Sequence, residues 1–166
     1  KLTKEEFEEK AKSFTYDQIA KLVKDAYKSE IIVFTEYNNT SDSGYNALKG
    51  DYDTKEKLRA YLEKSFSTNF VDELLKSDDK FKFIEDKTYV KVIDVKTNSD
   101  FYNAFAIGKE ITDDKLNVKI ESTSNHDKIT YKATLVYEND AWKVDSLSKL
   151  TPSGKTISGL ILFNLV

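Results

Sequence analysis

The spacing of apolar residues divides the chain into two halves, and the first half has the period of helices. Between residues 3 and 77, apolar side chains recur every three or four positions, which is typical of a helix with one buried face. Polar cap residues precede four such runs, at Thr3, at Thr15, in residues 53–56 and at Ser67. Glu6 and Gln18 follow Thr3 and Thr15 by three residues, which completes two capping-box patterns. The pattern predicts four helices.

The second half alternates between apolar and polar positions, which is the period of strands. The apolar positions that we expect to face inward are Phe81 and Phe83; Phe105, Ile107 and Ile111; Leu116, Val118 and Ile120; Ile129, Tyr131, Ala133, Leu135 and Tyr137; and Trp142, Val144 and Leu147. Tyr89 and Val90 lie on the far side of the turn that follows Phe83. Turn-forming residues separate the runs at 85–87 and at 139–140. This pattern predicts consecutive antiparallel strands with one face on the helices and the other in water.

Helices followed by a strand meander predict an α+β fold, with N-terminal helices packed on one face of a mostly antiparallel C-terminal sheet. With 166 residues, of which 39% are hydrophobic, the chain can bury one continuous core without help from disulfides or metal. We therefore expect a single domain over residues 1–166, with helices at about 3–77 and strands at about 80–166.

Composition excludes several classes of function. The 26 basic and 29 acidic residues nearly cancel, so the chain lacks the basic footprint of a nucleic-acid-binding protein. The absence of cysteine excludes a thiol nucleophile and cysteine-ligated zinc. The five glycines lie far apart, so no glycine-rich phosphate loop exists. We expect no nucleic-acid partner and no cofactor.

The residues that could carry catalysis are explained more simply by turns and helix caps. His126, the one histidine, lies among turn formers between two predicted strands. The short acidic clusters at residues 51–53 and 113–114 do not match a calcium-loop spacing. A two-carboxylate mechanism stays open by residue type, because 29 acidic residues supply many pairs. We expect no catalytic residue and no metal ligand.

Residues 94–102 form the clearest candidate for a contact surface. This segment interrupts the strand alternation with polar turn formers and ends on two adjacent aromatics, a composition that suits a loop with an anchor. The residues that we expect to touch a partner are Asp94, Asn98, Ser99, Asp100, Phe101 and Tyr102. Alternatively, the two aromatics simply begin the next strand.

Three tyrosines flank predicted loops, at Tyr37, Tyr45 and Tyr52. A half-polar ring beside a loop is typical of a recognition surface, but an ordinary, partly buried tyrosine explains each of the three more simply. We take Tyr45 and Tyr52 as possible neighbours of the contact segment.

The chain has no methionine, even at position 1, which fits a trimmed, exported protein whose signal or anchor segment has been removed. The apolar run in residues 157–166 is shorter than the roughly 20 residues that a membrane-spanning helix needs. We therefore expect a secreted or cell-envelope protein without a transmembrane segment in this chain.

The order of segments resembles that of the IseA family of secreted D,L-endopeptidase inhibitors. The resemblance is carried by the helical stretch 52–62, the residues Phe66, Ser67 and Thr68 with Leu74 and Leu75, the hairpin at 81–90, and the strand pair at 131–147 with its Asn-Asp turn and Trp142. It spans residues 45–150, on the scale of one domain. The strand pair is also similar to cone-shaped domains like nuclear transport factor.

The resemblance implies a non-enzymatic protein that binds a peptidoglycan hydrolase, a cysteine D,L-endopeptidase, and inhibits it by occluding the active-site cleft. It implies that the loop at 94–102 enters that cleft. Two alternatives remain at this point: an extracellular lipoprotein-type domain of the cone fold that binds a small ligand or wall fragment in a pocket, and a carboxylate-dependent hydrolase or isomerase on the same cone. A deep cavity with paired acids would favour the enzyme.

Overall fold

The computed structural model describes residues 1–38, 44–76, 79–92, 99–124, 126–150 and 156–157. Its α-helices are α1 (Lys4–Ser13), α2 (Tyr16–Thr35), α3 (Lys55–Leu62) and α4 (Thr68–Leu75), and short 3-10 helices lie at Gly50–Tyr52 and Ser99–Asn103. Its strands are β1 (Tyr45–Ala47), β2 (Phe81–Ile84), β3 (Lys87–Lys91), β4 (Phe105–Thr112), β5 (Lys115–Ser124), β6 (Asp127–Glu138), β7 (Ala141–Leu150) and β8 (Thr156–Ile157).

The helices begin at the predicted caps. The Thr3 hydroxyl accepts a hydrogen bond from the backbone N–H of Glu6 at 3.1 Å, and the Glu6 carboxylate accepts one from the Thr3 backbone N–H at 3.0 Å. Thr15 and Gln18 repeat this capping box at the start of α2. The Thr54 and Ser67 hydroxyls cap α3 and α4. Because capping depends on residues only three positions apart, these starts are readable from sequence, and the prediction is confirmed.

In the described part of the chain, the strands form two antiparallel sheets. The three-stranded sheet has the order β1-β3-β2, and the five-stranded sheet has the order β4-β5-β6-β7-β8. The α+β prediction, with N-terminal helices and antiparallel strands after them, is confirmed. The structure adds that the strands divide between two sheets and that β1 lies within the half predicted to be helical.

Strand β4 departs from the predicted alternation. Phe105, Ile107 and Ile111 were expected to face inward, but they are 50%, 42% and 39% exposed. Pairing with β5 places Ala106 opposite buried Ile120, so the neighbouring Phe105 lies on the other face of the sheet. Ile107 is the residue that the register skips, at a β-bulge between Ala106 and Gly108. Beyond the bulge, Ile111 lies opposite buried Leu116, beside the β4–β5 turn, and stays partly exposed there.

The α3–α4 connection is tied to strand β7. The backbone N–H of Ser67 donates to the Val144 carbonyl at 2.9 Å, and the N–H of Val144 donates to the Ser65 carbonyl at 2.8 Å. The Ser67 hydroxyl also donates to the Asp145 carboxylate at 2.6 Å. These bonds fix the helices on the inner face of the five-stranded sheet, where Phe66 and Val144 are fully buried.

The tight turns between strands have the expected residues. Asn139 and Asp140 both adopt positive φ angles, of 53° and 60°, as a two-residue hairpin turn of type I′ requires. His126 has a φ of 71° and is exposed between β5 and β6, which confirms that it lies in a hairpin turn. Across the described residues, none of the helices has both the length and the apolar character that membrane crossing would demand.

Candidate functional site

The structure anchors both ends of the segment that the sequence singled out. Asp94 and Asn98 lie outside the described residues. Before them, the N–H of Val92 donates to the Gly44 carbonyl at 2.8 Å, and Tyr45 pairs with Lys91 across β1 and β3. The carbonyl is presented by a left-handed backbone, with φ of 82° at Gly44, which favours glycine. The last residues described before the segment are therefore hydrogen-bonded at the end of β3, the central strand of its sheet.

Phe101 holds the other end of the segment in the core. Ser99 and Asp100 open the 3-10 helix Ser99–Asn103, which contains Phe101. The Phe101 side chain is 0% exposed, and its ring meets Tyr27 of α2 at 4.9 Å and Tyr131 of β6 at 5.1 Å, both edge to face. The expectation that Phe101 touches a partner is therefore corrected: because its ring is enclosed, it anchors the segment. It also precedes β4 rather than beginning it.

Tyr102, the next residue, has the opposite environment. Its side chain is 42% exposed, and one face of its ring lies against Tyr27, with ring centroids 5.7 Å apart. Buried Phe101 and exposed Tyr102 thus flank the same tyrosine of α2. Of the two adjacent aromatics, only Tyr102 presents its ring to solvent.

Tyr45 lies beside the start of the segment. It is half-buried on β1, opposite Lys91, and the Lys82 ammonium of β2 sits 4.2 Å from its ring centroid. This distance is within the range of a cation–π contact, which orients the ring on the surface of the three-stranded sheet. Tyr45 therefore lies opposite Lys91, close to the last residue that the structure describes before the segment. Lys82 was missed by sequence analysis because only the strand register places it near Tyr45.

Tyr52 is placed differently. Its side chain is only 8% exposed, its hydroxyl donates to the Glu36 carboxylate at 3.3 Å, and its ring packs 5.0 Å from Tyr61 of α3. Burial, and then the Glu36 charge, raise the pKa of Tyr52. The expectation that Tyr52 borders the contact surface is corrected, because its ring is committed to packing between α2 and α3.

Two carboxylates of a surface cleft, the kind of place that a carboxylate enzyme would use, are engaged in structural contacts. A cleft of about 780 Å³ lies between α1 and the sheet, and its carboxylates include Glu138 and Asp145. Glu138 accepts a hydrogen bond from the backbone N–H of Thr68 at 2.7 Å, and Asp145 binds the Ser67 hydroxyl and the Lys115 ammonium. Both acids are therefore engaged at the start of α4. No group of three or more potential metal ligands occurs among the residues that the structure describes.

A family model provides the deciding comparison. The model of the IseA DL-endopeptidase inhibitors matches residues 8–149, from the middle of α1 to the end of β7. The chain belongs to this family. The resemblance noted in the sequence is confirmed. No curated protein matches the sequence.

Membership of the IseA family supports the role of a DL-endopeptidase inhibitor and fits a protein that is not itself an enzyme. The matched range contains the contact segment, both of its anchors and the sheet that carries Tyr45. The partner expected from the resemblance, a DL-endopeptidase, is the one that the family name gives.

The contact between the rings of Tyr52 and Tyr61 leads us to expect that the protein loses stability at alkaline pH. Burial raises the pKa of Tyr61 to about 12, with Tyr52 and Glu36 adding to the shift; an unfolded tyrosine has a pKa of about 10. The fold thus favours the neutral phenol. The free energy of unfolding gains the full contribution of this preference below about pH 10 and loses it as the pH rises through about 12. Denaturant unfolding at pH values across this window is expected to show a declining midpoint.

The variant Tyr61→Phe isolates this effect. It removes the late-titrating phenol while keeping the ring, so its stability is expected to decline less between pH 10 and 12 than that of the parent protein. Tyr16→Phe, at a position that is 44% exposed, is the matched control and is expected to leave the decline unchanged. If Tyr61→Phe and the parent lose stability in parallel, the titration of Tyr61 is not linked to folding. Tyrosinate absorbance follows the ionisation directly.

Proposed function

We propose that this protein is an exported inhibitor that binds a peptidoglycan D,L-endopeptidase and occludes its active-site cleft. The observation that carries the proposal is the family match over residues 8–149. Inhibition of this kind needs a complementary surface and no chemistry of its own. The protein would act by steric exclusion of the substrate and by polar contacts, without forming or breaking a covalent bond.

The proposed contact surface is the segment 94–102 with Tyr45 beside it. Two features of the described residues support this choice. The segment is bracketed by the β1–β3 pairing and by buried Phe101, so its ends are fixed relative to the core. Fixed ends lower the conformational entropy that a loop loses on binding, which favours affinity. Asp94, Asn98, Ser99, Asp100 and Tyr102 are the proposed contact residues, and Phe101 supports them from within.

The cell envelope is the proposed location. The substrate of a peptidoglycan endopeptidase lies outside the cytoplasmic membrane, so an inhibitor of that enzyme has to be exported to meet it. The family resemblance to secreted inhibitors supports this part of the proposal.

A turbidity assay tests the proposal. Purified D,L-endopeptidase lyses cell walls, and the inhibitor is expected to slow the loss of turbidity in proportion to its concentration. A variant in which residues 94–98 are replaced by a neutral Gly-Ser linker keeps Phe101 in the core, and it is expected to lose at least about tenfold in inhibitory potency, a loss of about 1.4 kcal/mol in binding. The matched control replaces Asp113 and Asp114, in the β4–β5 turn, by Asn-Gly.

Asn-Gly can adopt the backbone that Asp113 has, with φ of 56°, so the control variant is expected to fold and to inhibit as the parent does. Equal inhibition by the linker variant and the parent would move the contact surface away from the segment. No protection against a panel of such endopeptidases would reject the inhibitor proposal itself.

A further inference from the structure

A groove lies next to the exposed end of the contact segment, between α2 and the start of β4. It has a volume of about 780 Å³. Its α2 wall has three lysines, Lys21, Lys24 and Lys28, together with Ala20 and two aspartates, Asp17 and Asp25; its other wall has Tyr102, Asn103, Ala104 and Phe105. Tyr102 belongs to the 3-10 helix that ends the contact segment, so the groove continues the proposed inhibitory surface along α2.

The α2 wall carries two cations without partners. Lys21 is bound to Asp25 at 2.7 Å, but Lys24 and Lys28 make no ion pair with any residue in the described ranges. They are four residues apart on the helix, so their side chains lie on one face, one turn from each other. Lys24 is half-buried, which holds its stem against the wall. With Asp25 engaged by Lys21, this wall presents two positive charges one helical turn apart, beside the single carboxylate of Asp17.

The opposite wall presents aromatic surface. Tyr102 and Phe105 are 42% and 50% exposed; Tyr102 lies in the 3-10 helix Ser99–Asn103, and Phe105 is the first residue of β4. Exposed aromatics that adjoin one another are typical of the central part of a protein–protein interface, where they supply much of the binding energy. The groove thus combines two cations with two rings.

We propose that this groove is a second contact surface for the inhibited endopeptidase, and that it receives an acidic segment from the rim of the enzyme's cleft. The inference rests on the proposed function. Lys24 and Lys28 would pair with carboxylates of that segment, and the rings of Tyr102 and Phe105 would pack against its apolar side chains. The cations select an acidic occupant, and continuity with the segment 94–102 selects the same partner.

Charge reversal tests the cationic wall. The double variant Lys24→Glu/Lys28→Glu is expected to bind the endopeptidase about tenfold more weakly than the parent at about 0.1 M salt, chiefly through slower association. The difference is expected to shrink at about 1 M salt, where the Debye length falls to about 3 Å. The matched control is Lys119→Glu/Lys132→Glu, which reverses two exposed lysines paired across β5 and β6, on the five-stranded sheet. Biosensor rates and circular dichroism are measured for each.

The aromatic wall has its own test. Phe105→Ser is expected to accelerate dissociation about fivefold, because interface truncations act mainly on the off-rate. Ile84→Ser is its control, since Ile84 is similarly exposed, at 55%, but lies on β2.

The outcomes separate the groove from the inhibitor proposal. If the parent binds and inhibits while the Lys24/Lys28 and Lys119/Lys132 variants weaken binding equally or not at all, the groove proposal is overturned and the inhibitor proposal stands. Tighter binding by Lys24→Glu/Lys28→Glu would also overturn the groove proposal, because the rim of the endopeptidase cleft would then be basic. If the parent itself neither binds nor inhibits any such endopeptidase, the proposed function fails, and the groove proposal with it.

Discussion

Replacing Phe101 with alanine is expected to lower the free energy of unfolding by about 4 kcal/mol and to weaken inhibition beyond what the unfolded fraction explains. The ring is fully enclosed between Tyr27 and Tyr131, so its removal deletes two edge-to-face contacts and leaves a cavity. The same change releases the 3-10 helix that fixes the end of the contact segment. Urea unfolding gives the first quantity, and a turbidity assay under conditions where the variant is folded gives the second.

Phe101→Leu keeps the experiment informative if the alanine variant does not fold. Leucine retains most of the buried volume, so we expect a loss of about 1–2 kcal/mol and a smaller loss of inhibition. If the ring at position 101 were exposed, both variants would lower the free energy of unfolding by less than about 0.5 kcal/mol, as surface substitutions do. That result would contradict the anchoring role and return Phe101 to the contact surface. If Phe101→Ala is destabilised but inhibits as well as the parent, Phe101 contributes to stability and the inhibitory surface does not depend on it.

The parts of the fold that were predictable depend on short-range signals. The capping boxes at Thr3 and Thr15 join residues three positions apart, and the turn at Asn139 and Asp140 needs only two residues that tolerate positive φ. Strands β5 and β6 have an uninterrupted period of two, because their inner face is buried along most of its length. These local rules were sufficient for the α+β class.

The parts that were not predictable depend on pairing over longer distances. Nothing near β3 in the sequence indicates that it pairs with β1 and β2 and leaves β4 to a second sheet. The bulge between Ala106 and Gly108 exists only relative to β5, and the pairing with β5 also decides that Ala106, rather than Phe105 or Ile107, takes the buried face. Three-residue β1 is too short to have a period of its own.

Sequence composition singled out the candidate segment, but it did not assign the right role to each residue of that segment. Polar turn formers before two aromatics singled out the segment, and the β1–β3 register places Tyr45 opposite Lys91, which precedes the part of the segment that the structure does not describe. Composition alone did not distinguish Phe101, which is enclosed, from Tyr102, which is exposed, because both are aromatic and adjacent. Tyr52 lies next to a predicted loop, yet its partners are Glu36, the residue that follows α2, and Tyr61 of α3, which lie on either side of it in the sequence.

Replacing Trp142 with alanine is expected to lower the free energy of unfolding by about 3 kcal/mol and to detach α1 from the sheet before the rest of the protein unfolds. Phe14 stacks on the Trp142 ring at 5.1 Å, and Phe7 and Tyr137 meet it edge to face at 5.4 Å and 5.3 Å. Helix α1 has only ten residues, a length at which an isolated helix is marginal in water. Its stability therefore depends on this aromatic cluster.

Hydrogen exchange of the α1 amides distinguishes this local release from general destabilisation. The comparison variant is Lys109→Met, which removes the ammonium that binds the carbonyls of Ala11 and Phe14 at 2.7 Å and 2.8 Å but leaves the four rings in place. Because charged groups bonded to helix-end carbonyls contribute about 1–2 kcal/mol, Lys109→Met is expected to loosen α1 less than Trp142→Ala. Exchange in α1 that is as slow in Trp142→Ala as in the parent would show that the rings do not hold the helix. The capping box and Lys109, which act at the two ends of α1, would then have to hold the helix on the sheet. The apolar face of α1 between those ends would have no role in fixing the helix.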